Sequence, residues 1–437
     1  MKRIKRRSSA ALLLALLVML GTGVLTLRLL RNGAVWAAYN ANASVYTDRG
    51  VLNCGTLTDR NGLVLSHANE GVYGYADDSA IRLSSVHAVG DYRGYIGTAA
   101  LSAYADKLTG YTTVRGTTNP GNTVALSLDA RLQTAAWAAL SGRPGAVMVM
   151  NYETGEVLCM VSTPTYDPNG EADESIEGLF INRCLSATYT PGSVFKLVTL
   201  AAAIENIPDL YKRSFPCGGS CDVAGVTVNC AGVHGAQTVE QALANSCNCA
   251  FAELALELGG ERLAEYARDY GFTRAHYLDS ILSAAGTFEA VQEADSYLAW
   301  SGIGQHTNLV CPYAMLRFTA AVANGGELQE PTMLLGEDNG SRRLLKPSTA
   351  EALGEMMDYT VDYNYSETLD IGTLPLCAKS GTAELGDETS HAWFTGYLHS
   401  GVPLCFVVVL ERGGGGLSQA GPVALSVLNT AWEYYKE

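Results

Sequence analysis

Charge is scarce in this chain: of 437 residues, only 17% are Asp, Glu, Lys or Arg. Lysine is scarcer still. Beyond the first stretch it occurs only at Lys107, Lys196, Lys212, Lys346, Lys379 and Lys436. With a net charge of −15, the chain lacks the basic footprint of a nucleic-acid binder, and no nucleic acid is expected as a partner. It also lacks the polar, aliphatic-poor composition of a disordered protein, since 48% of residues are hydrophobic. Eleven cysteines are too few for a small disulfide scaffold, and an odd number leaves at least one unpaired within the chain. No internal repeat and no low-complexity tract occurs. No apolar run long enough to cross a bilayer as a helix occurs after residue 30.

One such run is present. Ala10–Leu27 carries no charge, and with Ser8 and Ser9 the uncharged stretch reaches 20 residues, about the length that crosses a bilayer core. Lys2, Arg3, Lys5, Arg6 and Arg7 precede it, so the N-terminus is expected in the cytoplasm. The alternative is a cleaved signal peptide. The length of the run, and Arg28 and Arg31 before the small residues Ala37 and Ala38, favour an uncleaved single-pass anchor. Residues 1–36 contain seven basic groups and no acid, leaving 22 basic against 44 acidic residues, a balance of −22, in a remainder expected outside the cytoplasm.

The length suggests two or three domains. The expected organisation is a basic tip (1–9), a membrane anchor (10–30), a small β-rich N-terminal domain (36–120) and one large domain (121–437), with Pro120-Gly121 at the boundary. GTLTDRNGLVLS (Gly55–Ser66) reads as strand, turn, strand. Tyr104–Tyr111 reads as a short helix. Further on, TVALSLD reads as a strand, Ala130–Leu140 as a helix, and Gly145–Ser162 as a hairpin around Glu153-Thr154-Gly155. Ser193–Asn206 is an apolar helix after Pro191-Gly192, and Thr238–Gln241 is a capping box. His391–Leu398 and Pro403–Arg412 are strands, and Gly421–Tyr435 is a closing helix. Strands at both ends with helices between imply an α+β domain, an antiparallel sheet covered by helices.

Three short segments carry chemistry. In Ser193-Val194-Phe195-Lys196 the spacing puts hydroxyl and amine one turn apart on one helix face, at a helix N-terminus rich in free N–H groups. A chance pairing on a surface helix would have polar neighbours. Here Val194, Phe195, Leu197, Val198 and Leu200 imply burial, where an unpaired lysine is costly. Lys196 can act as a base only if its pKa falls by roughly 3.4 units, which burial and a second cation would both promote. Lys379 is the candidate second cation. Ser246-Cys247-Asn248 offers a proton-shuttling hydroxyl and an amide for a peptide carbonyl, though alone it could be a helix cap. In Lys379-Ser380-Gly381-Thr382, glycine on a strand admits a ligand backbone, lysine meets a carboxylate, and threonine adds a hydroxyl and an N–H.

In this order the three segments resemble the Ser-x-x-Lys, Ser-x-Asn and Lys-[Ser/Thr]-Gly set of the penicillin-recognising serine enzymes. The chain is identified as a member of the class B penicillin-binding proteins, peptidoglycan D,D-transpeptidases. VALSLDARLQTAAWAAL, GAVMVMNYETGEVLCMVSTPTYDPN, CLSATYTPGSVFKLVTLAAAIE, Gly302–Gln305 with ANGG after it, and KSGTAE with HAWFTGY extend the resemblance over most of 121–437. GTLTDRNGLVLS resembles the start of the family's pedestal domain, with Cys54 where arginine is common.

The resemblance implies a five-stranded antiparallel sheet with helices on both faces plus an all-helical lobe. It implies Ser193 as acylated nucleophile, Lys196 as general base and Ser246 as proton relay. Asn248 would hold the acyl-chain amide. Lys379, Ser380, Gly381 and Thr382 would bind substrate, with the N–H groups of Ser193 and Thr382 as oxyanion hole. The reaction implied is attack on the D-Ala–D-Ala bond of a peptidoglycan stem peptide, an acyl-enzyme, and transfer to an amine. β-Lactams would mimic the donor. No metal or organic cofactor is implied. A SEDS-family membrane glycosyltransferase and other cell-wall synthesis proteins are the expected partners. The competing reading is a class D-like β-lactamase or β-lactam sensor, which typically has Ser-x-Val at the second motif and lacks the pedestal.

Among the remaining cysteines, Cys217, Cys221, Cys230, Cys247 and Cys249 surround the second motif. Outside the cytoplasm a disulfide is allowed, and Cys217–Cys230 is the leading candidate; zinc is the lesser alternative, because the spacing matches no standard finger. Cys247, inside a catalytic motif, is expected at the cleft. Cys159, Cys311, Cys377 and Cys405 read as core residues. His391 reads as structural, His234 as a turn residue, and Asp358–Tyr365 as a surface segment.

Overall fold

The computed structural model describes residues 2–39, 42, 45, 46, 52–69, 71–117, 120–289 and 295–436; Met1 of the basic tip lies outside the described residues. The first element is a 36-residue helix, α1 (Lys2–Ala37), roughly 54 Å long at 1.5 Å per residue. Its apolar stretch is fully exposed, so it is long and apolar enough to cross a membrane and nothing in the described chain covers it.

A small four-stranded sheet follows. Its strands β1 (Cys54–Thr58), β2 (Val64–Asn69) and β3 (Val72–Tyr75) pair antiparallel in the order β3-β2-β1, with the Asp59–Gly62 turn between β1 and β2. The Asp59 carboxylate accepts the N–H groups of Asn61 and Leu63, which closes the turn. The fourth strand, β4 (Thr123–Ala125), lies beyond Pro120-Gly121 and pairs parallel with β1. It is shorter than TVALSLD suggests, because Leu126 turns away to bridge Leu334.

The larger unit is built on a five-stranded antiparallel sheet: β5 (Gly145–Asn151), β6 (Val157–Thr163), β7 (Leu376–Leu385), β8 (Thr389–Leu398) and β9 (Leu404–Leu410), in the order β7-β8-β9-β5-β6. Strand periodicity of two sorts its residues onto two cores. Val147, Val149, Phe394, Phe406 and Val408 face α2 (Ala130–Leu140) and α8 (Gly421–Tyr435). Met148, Met150, Trp393, Val407 and Val409 face the helical side, with α3 (Lys196–Asn206), α4 (Asn248–Leu258), α5 (Asp295–Gly302), α6 (Pro312–Ala323) and α7 (Pro347–Thr360). Both faces are buried, which is why β5, β6 and β9 read as unbroken apolar runs. This is the α+β architecture that the sequence implies. β7 is left as an edge strand.

Local signals locate the helices. Asp129 caps α2 by accepting the N–H of Arg131. Thr238 and Gln241 form both halves of the capping box on Val239–Ala244. Ser193–Asn206 begins differently from its sequence reading: Gly192–Phe195 is a tight 3₁₀ turn, and the α-helix proper starts at Lys196.

Candidate active site

Gly192 and Gly304 fix the site's floor. Gly192 has φ +55°, and a Cβ there would stand 2.6 Å from the Thr382 carbonyl oxygen. Gly304 has φ +82°, and a Cβ there would collide with the Gly192 carbonyl oxygen. Side chains are excluded at both positions, so the 3₁₀ turn is packed backbone-to-backbone between β7 and the Gly302–Gln305 run. The Gly192 N–H donates to the Gly304 carbonyl at 2.8 Å, and Thr199 Oγ1 donates to the Gly302 carbonyl at 2.7 Å. The approach to the turn is braced by Trp393, whose Nε1 donates to the Thr190 carbonyl, and by Tyr189 and Arg183, which converge on the Glu411 carboxylate.

On this floor the three motifs meet. Lys196 and Lys379 are both 0% exposed. Lys196 Nζ lies 2.6 Å from the Ser246 carbonyl oxygen, 2.7 Å from Asn248 Oδ1 and 3.2 Å from Ser246 Oγ. Lys379 Nζ lies 3.1 Å from the same Ser246 Oγ and 2.9 Å from its neighbour's carbonyl, that of Ser380. One hydroxyl thus bridges two buried amines. Ser246 is held there in the left-handed region at φ +51°, which is uncommon for a residue with a side chain and recurs where function over-determines the backbone. Asn248, at the start of α4, also donates Nδ2–H to the Asn229 carbonyl at 2.7 Å, leaving its second N–H for a ligand.

The electrostatics follow from burial. Lys196 is pushed down to about 7, first by burial and then by the charge of Lys379. Lys379 is itself lowered to about 7 by burial. Two amines bridged by one hydroxyl do not both hold a proton cheaply, and the charge of Lys379 favours the neutral form of Lys196. As a neutral amine it spends two N–H groups on the Ser246 carbonyl and Asn248 Oδ1, and keeps a lone pair for a proton.

Ser193 is half-buried on the 3₁₀ turn, and its Oγ has no hydrogen-bond partner among the described residues. Gly381 packs under the Pro191 carbonyl, and Thr382 is exposed, its Oγ1 accepting the N–H of Gly416 at 3.1 Å. The structure therefore brings Ser193, Lys196, Ser246, Asn248, Lys379, Ser380, Gly381 and Thr382 to one place.

It also adds Tyr365 and moves Cys247 away from the cleft. Tyr365, read as part of a surface segment, is 2% exposed at the π-turn that ends α7. Its Oη accepts the Ser380 N–H at 2.9 Å, pairs with Ser380 Oγ at 2.9 Å and lies 3.5 Å from Lys379 Nζ. Burial raises its pKa to about 12, so it stays a neutral phenol. The signal was the four-residue spacing of Val361 and Tyr365, which continues the helix face of α7. Tyr365→Phe should lower the second-order rate of penicillin acylation about tenfold, the worth of one hydrogen bond of about 1–1.5 kcal/mol, with the fold retained. A rate equal to wild type would remove Tyr365 from the site.

Cys247, expected at the cleft, is fully buried and faces other thiols, because only its neighbours Ser246 and Asn248 turn toward Lys196. All eleven cysteines, Cys217 and Cys230 included, are free thiols. Cys159, Cys311, Cys377 and Cys405 are buried. His391 is structural: Nδ1 accepts the Arg412 N–H at 3.2 Å and the ring meets Tyr189 edge-on.

Residues 145–429 match the penicillin binding protein transpeptidase domain, more than half of the chain. The chain belongs to this family. Peptidoglycan D,D-transpeptidase PbpA of Mycolicibacterium smegmatis is 28% identical over 352 residues, 69% of this chain and 70% of that protein. Stage V sporulation protein D of Bacillus subtilis is 37% identical over 193 residues, 42% of this chain and 29% of that protein. Among solved structures, penicillin-binding protein A from M. tuberculosis, as a ceftriaxone acyl-enzyme, superposes with a TM-score of 0.77 at 23% identity, covering 88% of this chain and 99% of that one. The D,D-transpeptidase domain of a peptidoglycan glycosyltransferase from Eggerthella lenta gives 0.74 at 26% identity, covering 87% and 98%. The five-stranded sheet and the helices packed on it are thus the fold of a penicillin-binding transpeptidase domain.

Proposed function

We propose that this protein is a membrane-anchored peptidoglycan D,D-transpeptidase working through an acyl-enzyme on Ser193. The observation that carries the reading is the pair of buried amines, Lys196 and Lys379, bridged by Ser246 Oγ beside the Ser193 turn. Ser193 Oγ attacks the penultimate D-Ala carbonyl of a stem peptide while Lys196 takes its proton. The N–H groups of Ser193 and Thr382 hold the oxyanion, and the free N–H of Asn248 holds the acyl-chain carbonyl. The donor backbone lies along the edge of β7 at Gly381, with its carboxylate toward Lys379, Ser380 and Thr382. The C–N bond breaks, and the departing D-Ala amine receives a proton through Ser246. An acceptor amine then attacks the ester, its proton passes to Lys196, and the Ser193 hydroxyl is restored. A β-lactam acylates the same serine.

The N-terminus lies in the cytoplasm, with the anchor over 10–30, a pedestal over 36–120 and the catalytic domain over 121–437 outside. A SEDS-family glycosyltransferase partner would meet the anchor helix and the pedestal, where a pocket lined by Tyr39, Tyr92, Leu101 and Ile281 lies beside the end of α1. The full-length protein in detergent, given a D-Ala–D-Ala donor peptide and a labelled D-amino acid, should form the exchanged peptide, and penicillin should block it. Rapid turnover of penicillin with no exchange would favour a class D-like β-lactamase and overturn the reading.

A further inference from the structure

Behind the Ser246–Asn248 segment lies a group of side chains that acyl transfer does not use. Cys217 ends the short strand Phe215–Cys217, Cys230 follows the strand Val226–Asn229, and His234 precedes the strand Gly235–Gln237. Cys247 is the cap residue of α4. One ligand atom from each of these four residues lies within 4.8 Å of all the others, although they are spread over 31 positions of sequence. Cys230 Sγ and His234 Nδ1 are 3.6 Å apart. Bond lengths of about 2.3 Å to sulfur and about 2.0–2.1 Å to nitrogen give a tetrahedral zinc site edges of about 3.6 Å between sulfur and nitrogen and about 3.8 Å between sulfurs. A disulfide would instead draw two sulfurs to about 2.05 Å and strand the remaining thiol and the imidazole.

We propose that Cys217, Cys230, His234 and Cys247 form a closed Cys₃His zinc site that positions the Ser246-Cys247-Asn248 motif. Three thiolates and an imidazole in a tetrahedral arrangement select zinc over harder cations, and a full set of four protein ligands marks a structural site. Binding releases the three thiol protons as the Zn–S bonds form, with no change of oxidation state. The spacing Cys-x₁₂-Cys-x₃-His-x₁₂-Cys contains no close cysteine pair, so the site is assembled by folding and does not read as a finger.

Its link to the active site is short. Cys230 Sγ accepts the Asn248 N–H at 3.2 Å, and the residue before it, Asn229, accepts from Asn248 Nδ2. Asn248 Oδ1 in turn accepts from Lys196. Cys247 is flanked by the two motif residues that contact Lys196. A metal holding both Cys230 and Cys247 therefore fixes where Ser246 and Asn248 stand, without touching substrate. Cys249, with Sγ 3.8 Å from Cys217 Sγ, and Cys221 lie alongside and are not needed to complete the four ligands.

The test is metal content of the full-length protein purified in detergent without chelator. One zinc per chain is expected in the wild type and in Cys221→Ser and Cys249→Ser, and none in His234→Ala or Cys230→Ser. Exchange with cobalt chloride should give the visible spectrum of tetrahedral cobalt with thiolate ligands, a readout on the unaltered chain. His234→Ala should acylate with penicillin at least tenfold more slowly, and His234→Cys, which restores a fourth ligand, should recover both zinc and rate. A chain free of zinc, a disulfide among Cys217, Cys230 and Cys247 in peptide maps, or zinc kept by His234→Ala would overturn the proposal. Metal content is read independently of acylation, so failure here is distinct from failure of the transpeptidase reading.

Discussion

Ser193→Ala should abolish covalent labelling by a fluorescent penicillin, a loss of at least about 10³-fold. The substitution isolates chemistry from folding. Ser193 Oγ has no hydrogen-bond partner among the described residues, so its removal leaves nothing buried and unsatisfied. The turn itself is held by Gly192, by buried Val194 and Phe195, and by the Gly192–Gly304 hydrogen bond, none of which involves the hydroxyl. A near-wild-type melting curve is therefore expected beside a blank gel lane and an unshifted intact mass. Equal labelling of both proteins would place the nucleophile elsewhere.

Lys196→Met should lower the acylation rate by about 10²–10⁴, the usual worth of a general base. Methionine keeps much of the volume in a fully buried position and removes only the amine. In the wild type the rate should rise with pH through about 7, because Lys196 must lose its proton to act and its pKa is lowered to about 7. An ordinary lysine near 10.4 would be neutral in about 1 molecule in 2,500 at pH 7. Lys379 is lowered to about 7 as well, so the same rise in pH also removes the charge that would attract the donor carboxylate, and the profile should be a bell and not a plateau. The apparent values belong to the coupled pair. Lys379→Gln should move the rising limb to higher pH, since the charge of Lys379 is one of the two causes of the shift at Lys196. Acylation rates between pH 5 and 9 decide this, and a flat profile would remove Lys196 as the base.

Much of this was legible in the residues. α2 and α8 have the limits that their periodicity and punctuation suggest, and the capping box at Thr238 closes as written. The motif residues carry chemistry that singles them out, because a lysine among apolar neighbours demands an explanation. What stayed hidden depends on distant partners. Tyr365 reads as one tyrosine in a polar run, and only the packing of α7 against β7 turns its hydroxyl onto Ser380. His234 looks like a turn residue until the hairpin folds it onto Cys230. That TVALSLD holds a strand was legible, but its parallel partner β1, some 65 residues earlier in the chain, was not.

The place of β7 at the end of the sheet has a consequence for drug escape. An unpaired strand edge is usually blunted by proline, bulges or charge, since it invites any extended chain to pair with it. On the proposed reading, Gly381 and the backbone around it would offer a donor main-chain groups, with no side chain at Gly381 itself to distinguish one extended amide from another. The wall substrate and its mimic then read the same groups. A substitution that bends or blocks this edge to shed a β-lactam would shed the natural donor with it. Tolerance must come from positions that alter the reaction coordinate or the approach, such as the Ser193 turn or the loop bearing Gly416, and the edge itself stays closed to that kind of change.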